Sequence, residues 1–232
     1  MLSDLLTKHY PRFETIIPST KKLITFRPIL VKEEKKLLTI QEFGSEREKI
    51  NCIVEVLEEC FDYRDIRSLT LVDIQYLFIQ LRIKSIGSSV NPVLVCPYTN
   101  ENINLQINLE EITITQSTNK SNTIELGKHL SIEMSEPTVN MLLGNKISLD
   151  ESVFNMALSC MKTIYTPEES ISCEDQSRED LESFLDKMTR EDFSKIVDYF
   201  KNISRIEKTV AYKTSDGIER EITLKGIIDF FV

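Results

Sequence analysis

Apolar residues recur at helical spacing in two adjacent segments of the first half of the chain. Within residues 46–61 and again within 71–84, they follow the i, i+3, i+4, i+7 spacing of one helix face. Ser45 precedes the first segment and Thr70 the second, each with an acidic residue three positions later, which is the signature of a capped helix start. The pattern predicts two helices packed as an αα-hairpin that ends at Gly87.

Residues 89–135 change from helical spacing to an alternation of apolar and polar side chains. Such alternation is typical of half-buried strands, and turns rich in Asn, Ser and Thr separate the runs. The runs cover residues 93–96, 103–109, 112–115 and 130–134. We therefore expect a β-rich insert made of ribbon-like hairpins.

The remaining segments complete an α+β chain, with a helical core, the β-rich insert and a C-terminal β-hairpin. A short strand is predicted at 22–28, a charged helix at 30–42 and another helix at 150–164, and capped helices are expected to follow Ser177 and Thr189. Residues 166–169 fit either a helix start or a turn before a short strand. The terminal hairpin turns at the sequence TSDG, residues 214–217.

These patterns divide the chain into four segments. The predicted segments are an extended N-terminal arm at 1–20, a strand plus helical hairpin at 21–88, the β-rich insert with a degenerate knuckle at 89–135, and a helical region ending in the β-hairpin at 136–232.

Composition narrows the classes of protein that fit. The chain has 232 residues, of which 41% are hydrophobic, enough to bury a core. Its net charge of −9 argues against a nucleic-acid partner, because proteins that bind nucleic acid need a basic surface. No signal-peptide pattern appears at the N-terminus, and no apolar run approaches the roughly 20 residues of a membrane span. The five cysteines match no disulfide framework, which favours a reducing compartment.

The sequence shows no catalytic constellation. There are only two histidines, His9 and His129, and neither lies in a recognisable nucleophile or metal motif. The glycine-rich loops that bind nucleotide phosphates are missing. Adjacent glutamates such as Glu58 and Glu59 do not face one another on a helix or strand, so they are poor candidates for an acid–base pair. We expect no catalytic residues and no cofactor.

The tip of the first predicted hairpin resembles a zinc knuckle that has lost one ligand. A zinc ribbon carries C-x-x-C at this place, whereas the chain reads CPYT, with Cys96 present and Thr99 in the second position. Zinc needs about four Cys or His ligands, and the TSDG turn supplies none. We expect no stoichiometric zinc and a hairpin held by burial.

Two features leave a structural and a binding interpretation open. Arg82 lies in the last turn of a predicted helix, where a cation either offsets the helix dipole or contacts a partner. The apolar residues 227–232 are expected to be buried in the protein's own core or in a partner. The candidate partner-binding residues are Arg82, Val93, Ile107, Ile228, Phe230 and Phe231.

The order of these motifs resembles the base-plate hub protein family of T-even-type tailed bacteriophages. The resemblance rests on the helix ending LFIQLRIKSIGS, the CP-turn hairpin, the acidic INLEEI run, and the terminal hairpin ending in GIIDFF. The matching residues are Leu81, Arg82, Ser85, Gly87, Cys96, Pro97, Ile107, Leu109, Gly226, Asp229, Phe230 and Phe231. Thr99 departs from the family pattern, in which a cysteine can occur at this place.

The resemblance implies a non-enzymatic role in assembling the central hub of the contractile-tail base plate, either as an assembly factor or as a hub component. The implied partners are other phage tail proteins, met in the host cytoplasm during assembly or in the finished tail. The alternative from the residues alone is a small intracellular enzyme or regulatory domain whose site forms only in the fold. The oligomeric state is not predicted.

Overall fold

The structure is a computed structural model that describes residues 9–127, 129–144 and 153–225. The helices are α1 (Val31–Phe43), α2 (Glu46–Cys60), α3 (Leu71–Ser85), α4 (Val139–Leu143), α5 (Val153–Cys160), α6 (Arg178–Asp186) and α7 (Arg190–Lys201). The strands are β1 (Phe13–Ile16), β2 (Leu23–Phe26), β3 (Ser89–Val90), β4 (Val93–Val95), β5 (Asn102–Asn104), β6 (Ile107–Asn108), β7 (Ile114–Thr115), β8 (Thr123–Leu126), β9 (Leu130–Met134), β10 (Met161–Tyr165), β11 (Ser170–Ser172), β12 (Arg205–Lys213) and β13 (Glu219–Lys225).

The described residues form two compact units, and the chain passes from the first to the second and back. Among the described residues, one unit draws on 9–115 and 205–225, and the other on those within 116–204. Helices and small antiparallel sheets occur in both, which confirms the predicted α+β class. The four-segment division of the chain was based on local sequence character and stays a prediction.

The first unit is built around the predicted helical hairpin. Ser45 and Thr70 each accept a hydrogen bond from the backbone of the third residue of the helix, and Glu48 and Asp73 reach back to complete both capping boxes. The stripe residues Ile53, Leu57, Ile74, Leu77 and Leu81 are at most 2% exposed. The predicted helix pair is therefore confirmed, and its core is apolar.

The segment before these helices is tied to them. Strand β1 pairs with β2 in antiparallel register, from Phe13 opposite Phe26 to Ile16 opposite Leu23. Ser19, in the turn that follows β1, donates its amide and its hydroxyl to the Asp73 carboxylate, at 2.9 and 2.6 Å. Asp73 thus caps α3 and anchors the turn. The predicted strand near 22–28 and the charged helix near 30–42 are confirmed as β2 and α1.

A second core of the first unit lies between α3 and the hairpin strands. Val72 and Ile79 of α3 belong to it, with Ile107 from the first hairpin and Tyr212 from the second. β12 pairs with β13 on one edge and with β7 on the other. The predicted terminal hairpin is confirmed over residues 205–225.

The second unit is a four-stranded antiparallel sheet in the order β11-β10-β9-β8, with helices packed on it. Ile132, Ala157, Cys160 and Ile196 are fully buried in its core. Ser177 and Thr189 cap α6 and α7 as predicted.

The prediction of one helix over residues 150–164 is wrong at its end. The helix stops at Cys160, and residues 161–165 form the strand β10, in which Ile164 lies opposite Ile132 of one neighbour and Ile171 of the other. This apolar run also fits helical spacing, so the sequence alone did not reveal the strand. Its pairing with β9 and β11 makes residues 161–165 a strand. The start of the predicted helix lies outside the described residues.

Two further points of local structure are decided by the sheet. Thr166 donates its amide to the Glu169 carbonyl at 2.9 Å and leads into β11, so residues 166–169 form the turn rather than a helix start. The strand β8 was not predicted, because its four residues follow a polar loop and show only two apolar positions. In the described parts of the chain, every helix is too short or too polar to cross a bilayer.

Candidate functional site at two hairpin tips

The candidate knuckle is the tip of one long hairpin. β3 and β4 pair with β6 and β5 in an unshifted register, from Ser89 opposite Asn108 to Val95 opposite Asn102. Pro92 lacks an amide donor, but its carbonyl accepts from the amide of Leu105 at 3.0 Å and keeps the register across the gap. The strands therefore act as one continuous support for the tip.

Backbone hydrogen bonds close the tip over residues 96–101. Cys96 donates its amide to the Glu101 carbonyl, and its own carbonyl accepts from the amide of Asn100, both at 2.9 Å. Asn100 has a φ of 56°, in the left-handed region that asparagine tolerates better than most residues. The turn at this tip is thus closed by the chain's own backbone hydrogen bonds.

The TSDG turn of the second hairpin is held by one carboxylate. Asp216 accepts from Arg220 at 2.6 and 3.0 Å, from the Thr214 hydroxyl at 2.5 Å and from the Ile218 amide at 3.1 Å. The Arg220 guanidinium, followed by these other donors, holds the pKa of Asp216 far below its ordinary value. Gly217, at φ 79°, completes the turn.

The two tips are in direct contact. The Glu101 carboxylate of the first accepts from the amide and hydroxyl of Ser215 in the second, at 3.1 and 2.6 Å. The Tyr212 hydroxyl donates to the Cys96 sulfur at 3.3 Å, and the Arg220 guanidinium lies 5.5 Å from the centre of the Tyr98 ring. We call these six residues the clasp: Cys96, Tyr98, Glu101, Tyr212, Ser215 and Arg220.

The thiol of Cys96 has an unusual electrostatic setting. Burial alone would raise its pKa, but the Tyr212 hydroxyl, which donates to the sulfur, together with the nearby Thr99 side chain and the amides of the tip, outweighs burial and lowers the pKa to about 7. By contrast, burial raises the pKa of Cys60 and Cys173 to about 11. Cys96 therefore differs from a core cysteine in its hydrogen bonding, although its side chain is only 1% exposed.

Metal ligands do not gather at the clasp. Across the described ranges, no group of three or more His, Cys, Asp and Glu side chains is placed to hold a metal ion. Glu101 and Asp216 are already used by Ser215 and Arg220. The polar side chains of the two tips therefore bind one another.

Exposed apolar side chains surround the joined tips. Val93, Val95, Tyr98 and Ile218 are 55%, 58%, 75% and 54% exposed, and we call them the tip patch. Val93 and Val95 share one face of β4, and their cross-strand neighbours are the uncharged Asn104 and Asn102. The patch therefore combines apolar area with a locally uncharged strand surface.

The sequence-predicted partner residues are distributed over different environments. Val93 lies in the tip patch, whereas Ile107 is 2% exposed and packs in the core beneath the hairpin. Arg82 lines a groove between α1 and α3, where burial lowers its pKa. Ile228, Phe230 and Phe231 lie outside the described residues. Their roles in an interface stay predictions.

Sequence reasoning missed most of this site. Val95 could have been found, because it shares the strand face of Val93 two residues away. Tyr98 and Ile218 each lie in a turn, where alternation gives no signal. The clasp pairs join residues 114 and 116 positions apart, and no local pattern could reveal them.

Comparison with known proteins identifies a family. A family model described as T4 bacteriophage base plate protein matches residues 10–232, nearly the whole chain. No curated protein and no solved structure matches the chain.

Proposed function

We propose a function that starts from one fact: the chain belongs to the family of T4 bacteriophage base plate proteins. In our proposal the protein acts in assembly of the central hub of the base plate, as an assembly factor or as a hub component. It works by binding another phage tail protein, without catalysis. The binding would take place in the host cytoplasm, and the protein would then leave or remain in the tail.

The observation that carries this proposal is the tip patch on its clasp. Aromatic and branched side chains that are exposed on a preorganised support are good anchors, because little conformational freedom is lost when they are buried. Tyr98 contributes the largest such side chain, and Arg220 lies beside its ring. Tyrosine and arginine are also enriched among residues that dominate interface energies.

The backbone of the first hairpin offers a second means of binding. In the described residues β4 and β5 pair only with each other, so an extended segment of a partner could add to either edge. Val93 and Val95 would then supply alternate side-chain contacts, while Ile107 supports the hairpin from the core. Arg82, Ile228, Phe230 and Phe231 remain proposed contacts of the same partner class.

The absence of catalysis is part of the proposal and has physical support. His9 and His129 are both exposed. The thiol of Cys96, whose pKa is lowered, is almost fully buried and accepts a hydrogen bond from the Tyr212 hydroxyl. A nucleophile needs access to substrate as well as a suitable pKa.

The test is base-plate assembly in cells infected with phage that lack this gene and supplied with variants of the chain. Val93→Ser with Val95→Ser, two patch residues outside the clasp, should leave the protein folded and reduce the number of assembled base plates seen by electron microscopy. The matched control is Ile16→Ser with Leu23→Ser, a cross-strand pair that is 48% and 57% exposed in the same unit. Normal assembly with the tip variant would overturn the assignment of the patch.

A further inference from the structure

One edge of the first hairpin lacks the features that usually prevent strand edges from pairing. This edge is formed by β5 and β6, and in the described part of the chain neither strand pairs on its outer side. Residues 101–109 contain no proline, no lysine or arginine and no bulge, which are common protections of an exposed edge. The edge is therefore suited to pairing with another strand.

The hydrogen-bond register shows which backbone groups point outward. Leu105 donates its amide to the Pro92 carbonyl at 3.0 Å. Further along, Leu109 donates its amide to the Ser88 carbonyl at 2.7 Å. Inward and outward groups alternate along an antiparallel pair, so the odd-numbered residues of this strand are the ones that bond within the hairpin. The residues whose amides and carbonyls point away from it are Asn102, Asn104, Gln106 and Asn108.

The side chains along this edge are carboxamides. Asn102, Asn104 and Gln106 are exposed, and the alternating residues between them pack toward the core. A carboxamide carries both a donor and an acceptor, so one row of carboxamides is complementary to another row of the same kind. Asn and Gln side chains form such ladders between identical strands. A second copy of the same edge therefore matches it chemically.

The surroundings of the edge are almost free of charge. Residues 85–109 contain a single charged residue, Glu101, in a chain of which 28% is charged. The Glu101 carboxylate already accepts from the Ser215 hydroxyl in the clasp. Each copy of the chain has a net charge of −9, so two copies repel each other, and contact between them is least opposed where charge is absent. The β5–β6 edge meets this condition.

We propose that the β5–β6 edge binds the same edge of a second copy of this chain, in antiparallel orientation. The two-fold axis that uses the whole uncharged edge passes through Leu105, and it places Asn104 of each copy opposite Gln106 of the other. The two hairpins then form one four-stranded sheet. An edge of this length buries less area than a standard interface, so the dimer dissociates on dilution. The β3–β4 edge, with two residues of the tip patch, stays open to a tail protein.

Charge substitutions at the paired positions test both the contact and its register. Asn104→Lys with Gln106→Lys places like charges opposite each other across the two-fold axis, so the dissociation constant of the dimer should rise by about tenfold or more. Asn104→Lys with Gln106→Glu places opposite charges there, and this variant should dimerise at least as tightly as the wild type. Sedimentation equilibrium over a range of protein concentrations measures the constants, and circular dichroism checks that each variant is folded.

The matched control is Gln176→Lys with Asn202→Lys, which makes the same change of net charge at two exposed carboxamide residues of the second unit. It should leave the dissociation constant unchanged. A wild-type chain that stays monomeric at every concentration would overturn the proposal. Equal constants for the two lysine pairs would assign the dimer to another surface, and a Lys–Glu variant as weak as the Lys–Lys variant at 104 and 106 would contradict the register. Either result would also overturn the proposal.

Hydrogen exchange of the wild type gives an independent readout. The amides of Asn102, Asn104 and Gln106 point outward, so their exchange should slow as the protein concentration rises and the edges pair. The amide of Leu105 already donates within the hairpin and should change less. Outward amides that exchange at the same rate at all concentrations would contradict pairing at this edge. Neither experiment depends on the base-plate role, so the two proposals fail separately.

Discussion

The helical hairpin α2–α3 and the joined hairpin tips are held by different forces within the same unit. The helices bury a continuous apolar stripe, and a capping box closes the start of each. The two hairpins share a small core with α3, and their tips are joined to each other by hydrogen bonds and by the Arg220 guanidinium beside the Tyr98 ring. A turn buries too little apolar area to hold itself in place, and polar contacts between the tips supply the connection here.

The largest expected effect is in the helical hairpin. Leu77 is fully buried, so Leu77→Ala should lower the free energy of unfolding by about 2–5 kcal/mol through lost burial and the cavity left behind. Chemical denaturation followed by circular dichroism measures the change. Leu23→Ala, at a site that is 57% exposed, is the matched control and should change it by less than about 0.5 kcal/mol. A small loss at Leu77 would contradict packing by burial.

An intermediate effect is expected at the Tyr212–Cys96 contact, and it depends on pH. The folded-state pKa of Cys96, about 7, lies below the ordinary value of 9.0. A lowered pKa contributes stability that is fully present above pH 9 and is lost as pH falls through 7. Tyr212→Phe removes a donor to the sulfur, so it should raise the Cys96 pKa and reduce this contribution.

The measurement is the unfolding free energy of both proteins from pH 6 to pH 9.5. The gap between wild type and Tyr212→Phe should widen as pH rises, provided that Cys96 becomes a thiolate. Cys96→Ala in both backgrounds is the control, because it should abolish the pH-dependent part of the gap. A difference in unfolding free energy that stays constant with pH would mean that the Tyr212 hydroxyl does not stabilise the Cys96 thiolate.

The smallest expected effect is at the Ser215 end of the clasp. Ser215→Ala removes one donor to Glu101, and loss of one such hydrogen bond near solvent should cost about 1 kcal/mol or less. Hydrogen exchange is a more sensitive probe than global stability, and the amides of residues 96–101 should exchange faster. Ser194→Ala, an exposed serine in α7 of the second unit, is the control and should leave these amides unchanged. Unchanged exchange in Ser215→Ala would mean that the tips are held by Tyr212 and Tyr98.

The contrast between these regions also explains which predictions succeeded. The starts of α2, α3, α6 and α7 were predictable, because a cap and an acidic residue three positions on are neighbours in sequence. The hairpin around Cys96 was predictable for the same reason, since it consists of local alternation and a turn. The strand β10 was missed, because an apolar run can satisfy either spacing until its partners are known.

Family membership was accessible from the order of short motifs, and the match over residues 10–232 confirmed it. The candidate site was less accessible. Val93 was named from the sequence. Tyr98 and Ile218 were not, because each lies in a turn and only the contact between the two turns makes them part of the candidate site. Ile107 was predicted from the neighbouring alternating run of the same hairpin, and the structure places it in the core, since that position faces inward.

The sequence by itself determined the capped helices, the two hairpins, the acidic charge and the incomplete ligand set at Cys96 and Thr99, because each depends on residues close together in the chain. Only the tertiary structure decided that the two hairpin tips meet. It paired Cys96 with Tyr212 and Glu101 with Ser215, over separations of 116 and 114 residues. Local propensity cannot specify such pairs, since they depend on the packing of α3 and both hairpins into a shared core.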